Sequence, residues 1–127
     1  FSGFSLFVSR LNSHTESSLK CASAIGAALR GAKFTPSRYH ADPIVGESRP
    51  FADEANGVHY FDNLAVLKTA SIPALLFEAG VIVNRDEELR MRDPAVRKRI
   101  SESIAKAVGN CLGQRGGDGG MNFKNVT

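Results

Sequence analysis

Apolar and polar positions follow two different periods along the chain, and each change of period marks an element. Phe4-Ser5-Leu6-Phe7-Val8-Ser9 is short, apolar and rich in β formers, which predicts a strand. Ser13-His14-Thr15-Glu16 has the form of a capping box, in which the Ser13 hydroxyl accepts from the Glu16 amide and the Glu16 carboxylate reaches back. The helix expected after it carries Leu19, Ala22, Ile25, Gly26 and Leu29 on one face, and Gly31 is placed to end it. Ala22, Gly26 and Ala27 are small enough for this helix to lie close to a sheet. Residues 33–57, with Pro36, Pro43, Gly46, Pro50 and Gly57, read as a long connection, and connections of that length are often functional.

Val58–Phe61 and Leu64–Leu67 predict one strand or two short ones. The run SIPALLFEAGVIV over 71–83 opens as a nearly continuous apolar strand, the pattern of a sheet covered on both faces. Pro73 falls at its start, where a missing amide does least harm. Asn84 opens a second capping signature with Asp86 and Glu87, predicting a short helix to about Met91. Asp93 caps a last helix with Pro94 at its first position, and Val96, Ile100, Ile104, Ala107, Val108 and Cys111 form its inner stripe. Arg97, Lys98, Glu102 and Lys106 form a solvated outer face. Strand and helix alternate, so the fold class is α/β, a mostly parallel sheet flanked by helices. One domain over residues 1–112 is expected, followed by a Gly-rich flexible tail over 113–127.

Composition narrows the function classes. With 43% hydrophobic residues over 127 positions and a net charge of +3, the chain can build a core and is not globally disordered. No stretch approaches the ~20 apolar residues of a membrane span. The 16 basic against 13 acidic residues suit an anionic neighbour without selecting one. The aromatics fall in strand cores rather than between Lys and Arg, so nucleic acid is not an expected partner. Cys21 and Cys111 lie in helical patterns, and two readings stay open for them: small buried residues, or one disulfide in an oxidising compartment. The chain starts at Phe1 rather than Met and shows no signal-peptide pattern, which reads as a processed product or a fragment.

One residue stands out chemically. Glu78 ends the run IPALLF and precedes Ala79-Gly80. A carboxylate at the end of a buried strand is costly unless it is paired or opens onto a cleft. In open α/β sheets the cleft lies beyond the carboxyl ends of the strands, and Gly80 would permit a sharp turn there. A strand-end Glu facing water is the other reading. His40, Asp42 and Glu47 in the long loop are metal ligands by type but lack a rigid spacing. In the same loop Glu47 and Arg49 form a charged pair beside Gly46. Lys68 is expected to end a strand near the cleft edge of Glu78. His14 reads as a surface residue in a first helical turn, and His59, alternating with Val58 and Tyr60, as an exposed strand residue. Ser5, Ser9 and Cys21 have no recognisable base partner for nucleophilic catalysis.

The segments Leu64-Ala65-Val66-Leu67-Lys68 and Pro73-Ala74-Leu75-Leu76-Phe77-Glu78-Ala79-Gly80-Val81-Ile82-Val83-Asn84 resemble the C-terminal signature of zinc-dependent N-acetylmuramoyl-L-alanine amidases. The resemblance extends to the strand Gly3–Ser9, to the loop His40–Glu47 and to the helices of Arg85–Leu112, roughly residues 3–112 in all. It implies the second half of a single amidase-type domain from a bacterial cell-envelope protein, periplasmic or secreted, acting on peptidoglycan. The implied reaction is hydrolysis of the amide between the lactyl group of N-acetylmuramic acid and L-alanine of the stem peptide. Glu78 matches the family's acid/base, while zinc polarises the carbonyl and activates the water. The family's metal ligands precede the segment matched by Gly3–Ser9, so they are expected upstream of Phe1, with none in this chain. Glu47, Arg49 and Lys68 are the substrate-binding candidates, and Asn84, which matches a family Asn, reads as a helix cap. A non-catalytic wall-binding or regulatory fragment of the same fold is the alternative.

Overall fold

The computed structural model describes residues 3–37, 49–80, 85–114 and 122–126. In chain order the elements are β1 (Ser5–Val8), α1 (Thr15–Gly31), β2 (Phe51–Asp53), a 3-10 turn (Glu54–Asn56), β3 (Val58–Tyr60), α2 (Ala65–Lys68), β4 (Ala74–Glu78), α3 (Arg85–Arg92), α4 (Pro94–Gln114) and β5 (Asn122–Val126). The strands form one sheet in the order β2-β3-β1-β4-β5. This is the expected α/β class, with the sheet flanked by helices. The sheet itself is mixed: β1/β3 and β4/β5 pair in parallel, β1/β4 and β2/β3 antiparallel.

Strand alternation sorts the side chains onto two faces. Leu6, Val8, Val58, Leu75 and Phe77 pack against α1 (Cys21, Ala22, Ile25, Leu29) and α4 (Ile100, Ile104, Ala107, Cys111) in the main core. Phe7, Ala74 and Leu76 turn to the other face, where Leu67 of α2 covers them. The buried positions of both long helices recur every three or four residues, as the sequence pattern requires. Cys21 and Cys111 pair as a disulfide between α1 and α4, with Cα atoms 5.6 Å apart.

Tertiary context changed several local expectations. The capping box is not made: His14 is the N-cap of α1 and no side chain caps it. Asn12 has taken over that end, its Oδ1 accepting the His14 amide at 2.6 Å. At the far end α1 runs through Gly31, and Lys33, with φ +75°, takes the left-handed position expected of glycine. The Phe34 amide bonds Leu29 O and the Lys33 amide bonds Arg30 O, both at 3.0 Å, which is a Schellman motif with Phe34 packed into the same core as Leu29. Leu64–Leu67 does not extend a strand. Bonds from Lys68 N to Leu64 O (2.9 Å) and Thr69 N to Ala65 O (3.0 Å) close a helical turn of good helix formers.

Within the expected connection 33–57, Phe4 bridges Pro36, and Phe51–Asp53 supplies β2. Gly26 faces the turn that follows, and a Cβ there would lie 2.0 Å from Asn56 O. The small-residue face of α1 therefore meets the 3-10 turn at backbone contact. Asp93 does cap α4, accepting the Ala95 amide at 2.9 Å. Asn122–Val126, inside the stretch expected as a flexible tail, forms β5 along β4 instead. The open edge of β4 offers unpaired backbone groups, and an extended segment satisfies them. Asn84 lies outside the described residues.

Candidate active site

Two anchors set the start of β4. The Ala74 amide donates to Ser18 Oγ at 2.9 Å, and Asn12 Nδ2 donates to Leu67 O (2.8 Å), Ala70 O (3.1 Å) and Ile72 O (3.4 Å) in the segment leading into the strand. With its start held, β4 runs antiparallel to β1 in the register Leu76↔Phe7, Phe77↔Leu6 and Glu78↔Ser5. Glu78 is thus the last residue of its strand, half-buried, and on the face of Ala74 and Leu76, away from α1 and α4. The apolar residues before it fix where the carboxylate emerges. Ala79 and Gly80 follow and are buried.

The mixed sheet changes what surrounds Glu78. A cleft beyond the carboxyl ends of parallel strands is not its setting relative to β1. It lies where β4 and β5 end and where β1 and β3 begin, with Leu6 opposite Val58 in the parallel pair. Ser5, 1% exposed, is its direct cross-strand neighbour.

The structure does not gather the other candidates around Glu78. Lys68 is exposed at the end of α2 rather than at the end of a strand, and the Asn12 bonds place that segment beside the end of β1. It therefore lies at the opposite end of β4 from Glu78. Arg49 precedes β2. Its carbonyl meets His59 Nδ1 at 2.8 Å, and its guanidinium lies 3.9 Å from the centre of the Phe61 ring, past the end of β3. His40, Asp42 and Glu47 lie outside the described residues. His59 is not an exposed strand residue: it is fully buried, stacked on Phe51 at 4.4 Å and tilted against Phe7 at 5.5 Å. Val58, His59 and Tyr60 do alternate between the faces, but the second face is covered at that point by Phe51 and the Arg49 backbone.

At the end of the sheet remote from Glu78, Arg10 clamps Asp62 through Nε (2.9 Å) and Nη2 (2.5 Å) and lies 4.4 Å from the centre of the Tyr60 ring. The hydrogen bonds from Arg10 hold the Asp62 carboxyl below the usual carboxylate range. Asp53 is also lowered. Burial alone would raise it, and hydrogen bonds from Asn56 and Ser23 together with the Arg30 charge outweigh that burial. Both carboxylates are structural partners.

A metal does not fit what is described here. Among the described residues no three His, Cys, Asp or Glu side chains converge. The cysteines are joined to each other, His59 meets a backbone carbonyl through Nδ1, and His14 starts α1 just past the end of β1. Two residues of consequence escaped the sequence reading. Asn12 stands next to the expected capping serine, and Asn in that place is a signal for local backbone bonding. Ser5 was weighed only as a nucleophile, although a polar residue inside an apolar strand that pairs with the Glu78 strand was a second signal.

The family model for N-acetylmuramoyl-L-alanine amidases matches residues 1–110. The fold is similar to the N-acetylmuramyl-L-alanine amidase Ami1 of Mycobacterium smegmatis, with TM-score 0.72 and 22% identity over 89% of this chain and 48% of that one. It is also similar to the apo form of Ami1 from Mycobacterium abscessus (TM-score 0.68, 22% identity, 87% of this chain and 48% of that one). A third similar structure is the CwlD amidase of Clostridioides difficile, solved in complex with the GerS lipoprotein (TM-score 0.62, 18% identity, 90% and 48%). The chain spans about half the length of these solved relatives, 48% in each case. No curated relative matches it.

Proposed function

The chain belongs to the N-acetylmuramoyl-L-alanine amidase family, and from that premise we propose that it is part of a peptidoglycan hydrolase with Glu78 as its acid/base. The reaction is hydrolysis of the amide that joins the lactyl group of N-acetylmuramic acid to L-alanine of the stem peptide. The place of action is the bacterial cell envelope, where an oxidising compartment also suits the Cys21–Cys111 pair. The observation that carries the reading is the position of Glu78. It is a half-buried carboxylate at the end of an otherwise apolar strand, inside the family match and on the face that α1 and α4 leave uncovered.

The chemistry asked of Glu78 is proton transfer. The ionised carboxylate accepts a proton from the attacking water as its oxygen bonds to the amide carbon, and returns it to the departing nitrogen as the C–N bond breaks. Zinc belongs to the proposal as the cofactor of the complete domain. The described residues supply no ligand set for it, so its ligands are assigned outside them. Arg49, held past the end of β3, lies at the end of the sheet away from Glu78 and is left out, and Glu47 is proposed to meet the stem peptide. Lys68, at the far end of β4, is left out.

The test uses the full-length protein and purified peptidoglycan, with bound zinc measured in parallel. Wild type is expected to bind one zinc and release stem peptides, while Glu78→Gln binds zinc and releases none. Normal cutting by Glu78→Gln would overturn the site assignment. Failure of the wild type both to bind zinc and to cut would overturn the amidase reading and leave a wall-binding protein of the same fold.

A further inference from the structure

Buried serine hydroxyls in this fold have partners, with one exception among the described residues. Ser9 Oγ donates to Asp62 O at 2.7 Å and accepts the Leu11 amide at 3.1 Å. Ser18 Oγ donates to His14 O at 2.8 Å and accepts the Ala74 amide at 2.9 Å. Ser5 is as deeply buried, yet its Oγ has no hydrogen-bond partner. A hydroxyl buried in this way costs stability that an alanine at the same place would not.

Its position supplies the explanation. Ser5 and Glu78 are direct partners in the antiparallel β1/β4 register, so their side chains leave the sheet on the same face, with Cβ atoms about 4.5–5.5 Å apart. A serine hydroxyl and a carboxylate at that separation meet after a rotation of side-chain torsions alone. An O–H···O⁻ bond of this kind is shorter and stronger than one between neutral groups.

We propose that Ser5 is a positioning residue for Glu78: its hydroxyl donates to the carboxylate in the substrate complex and fixes which carboxylate oxygen faces the attacking water. The unpartnered hydroxyl of the resting fold is then a donor held ready for that state. The inference rests on the reading of Glu78 as acid/base, which the same experiment checks separately.

The experiment measures kcat and KM on peptidoglycan, together with thermal melts, for the full-length zinc-loaded protein carrying Ser5→Ala, Ser5→Thr or Glu78→Gln. Ser5→Ala is expected to lower kcat about tenfold or more while KM is unchanged and the melting temperature stays level or rises. Ser5→Thr, which keeps the hydroxyl and suits a strand, is expected to recover most of kcat. Wild-type kcat in Ser5→Ala, with Glu78→Gln inactive, overturns the Ser5 role and leaves the Glu78 reading standing. A joint fall of kcat and melting temperature in Ser5→Ala, or no recovery by Ser5→Thr, makes Ser5 structural and also overturns it. Normal turnover by Glu78→Gln removes the Glu78 reading and the Ser5 role with it.

Discussion

Replacing Asn12 with alanine removes the knot that holds the approach to β4. The side chain is 4% exposed and uses both ends of its amide. Nδ2 donates to Leu67 O at 2.8 Å and Ala70 O at 3.1 Å, with Ile72 O farther at 3.4 Å, and Oδ1 accepts the His14 amide at 2.6 Å. Three well-formed bonds at about 1 kcal/mol each give a loss of about 3 kcal/mol, with the Leu67 carbonyl, which meets Nδ2 away from solvent, bearing the largest share. For a domain of this size that corresponds to a fall in melting temperature of about 10 °C. Circular dichroism melts of wild type, Asn12→Ala and Asn12→Asp measure it. The aspartate keeps the acceptor for His14 but turns an oxygen toward three carbonyls, so it is expected to melt no higher than the alanine variant. An Asn12→Ala protein melting within about 2 °C of wild type, or an Asn12→Asp protein equal to wild type, would refute the assignment of these bonds as the anchor. The consequence reaches Glu78, because the register of β4 starts from this segment.

Further tests address the rest of the frame. Gly26→Ala places a Cβ 2.0 Å from Asn56 O and is expected to destabilise by about 2 kcal/mol, although alanine is the better helix former; a rise in melting temperature would contradict the contact. Lys33→Gly relieves a left-handed residue at φ +75° and is expected to stabilise by about 1 kcal/mol, read from urea midpoints; destabilisation would contradict the helix end described. Reducing the Cys21–Cys111 bond, which closes a loop of sequence separation 90, is expected to cost about 4 kcal/mol, and melts unchanged by reductant would sink this. The Asp62 carboxyl is held low in the folded state, so its stabilising contribution is present above the unfolded value of about 3.9 and is lost as pH falls through the folded value. Melts recorded between about pH 5 and pH 3 are therefore expected to fall more steeply for wild type than for Arg10→Gln, and equal slopes would refute the pairing.

Sequence alone determined the features that depend on near neighbours. The three- and four-residue spacing of apolar positions defined α1 and α4, the Asp93-Pro94 pair defined the start of α4, and the run before Glu78 defined β4 and the one carboxylate that does not belong in it. Each follows from a period or a cap contained within a few residues. What lies between distant segments was decided by tertiary structure. The antiparallel direction of β4 against β1 put Glu78 beside Ser5 and moved Lys68 to the other end of the sheet. The Arg49–Phe51 segment buried His59, and Asn12 displaced the capping box by bonding both the start of α1 and the approach to β4. Strand direction and cross-strand pairing join residues tens of positions apart, and a local pattern has no term for them. The candidate acid/base was therefore legible in the chain as written, while the residue that faces it became visible only once the strands were paired.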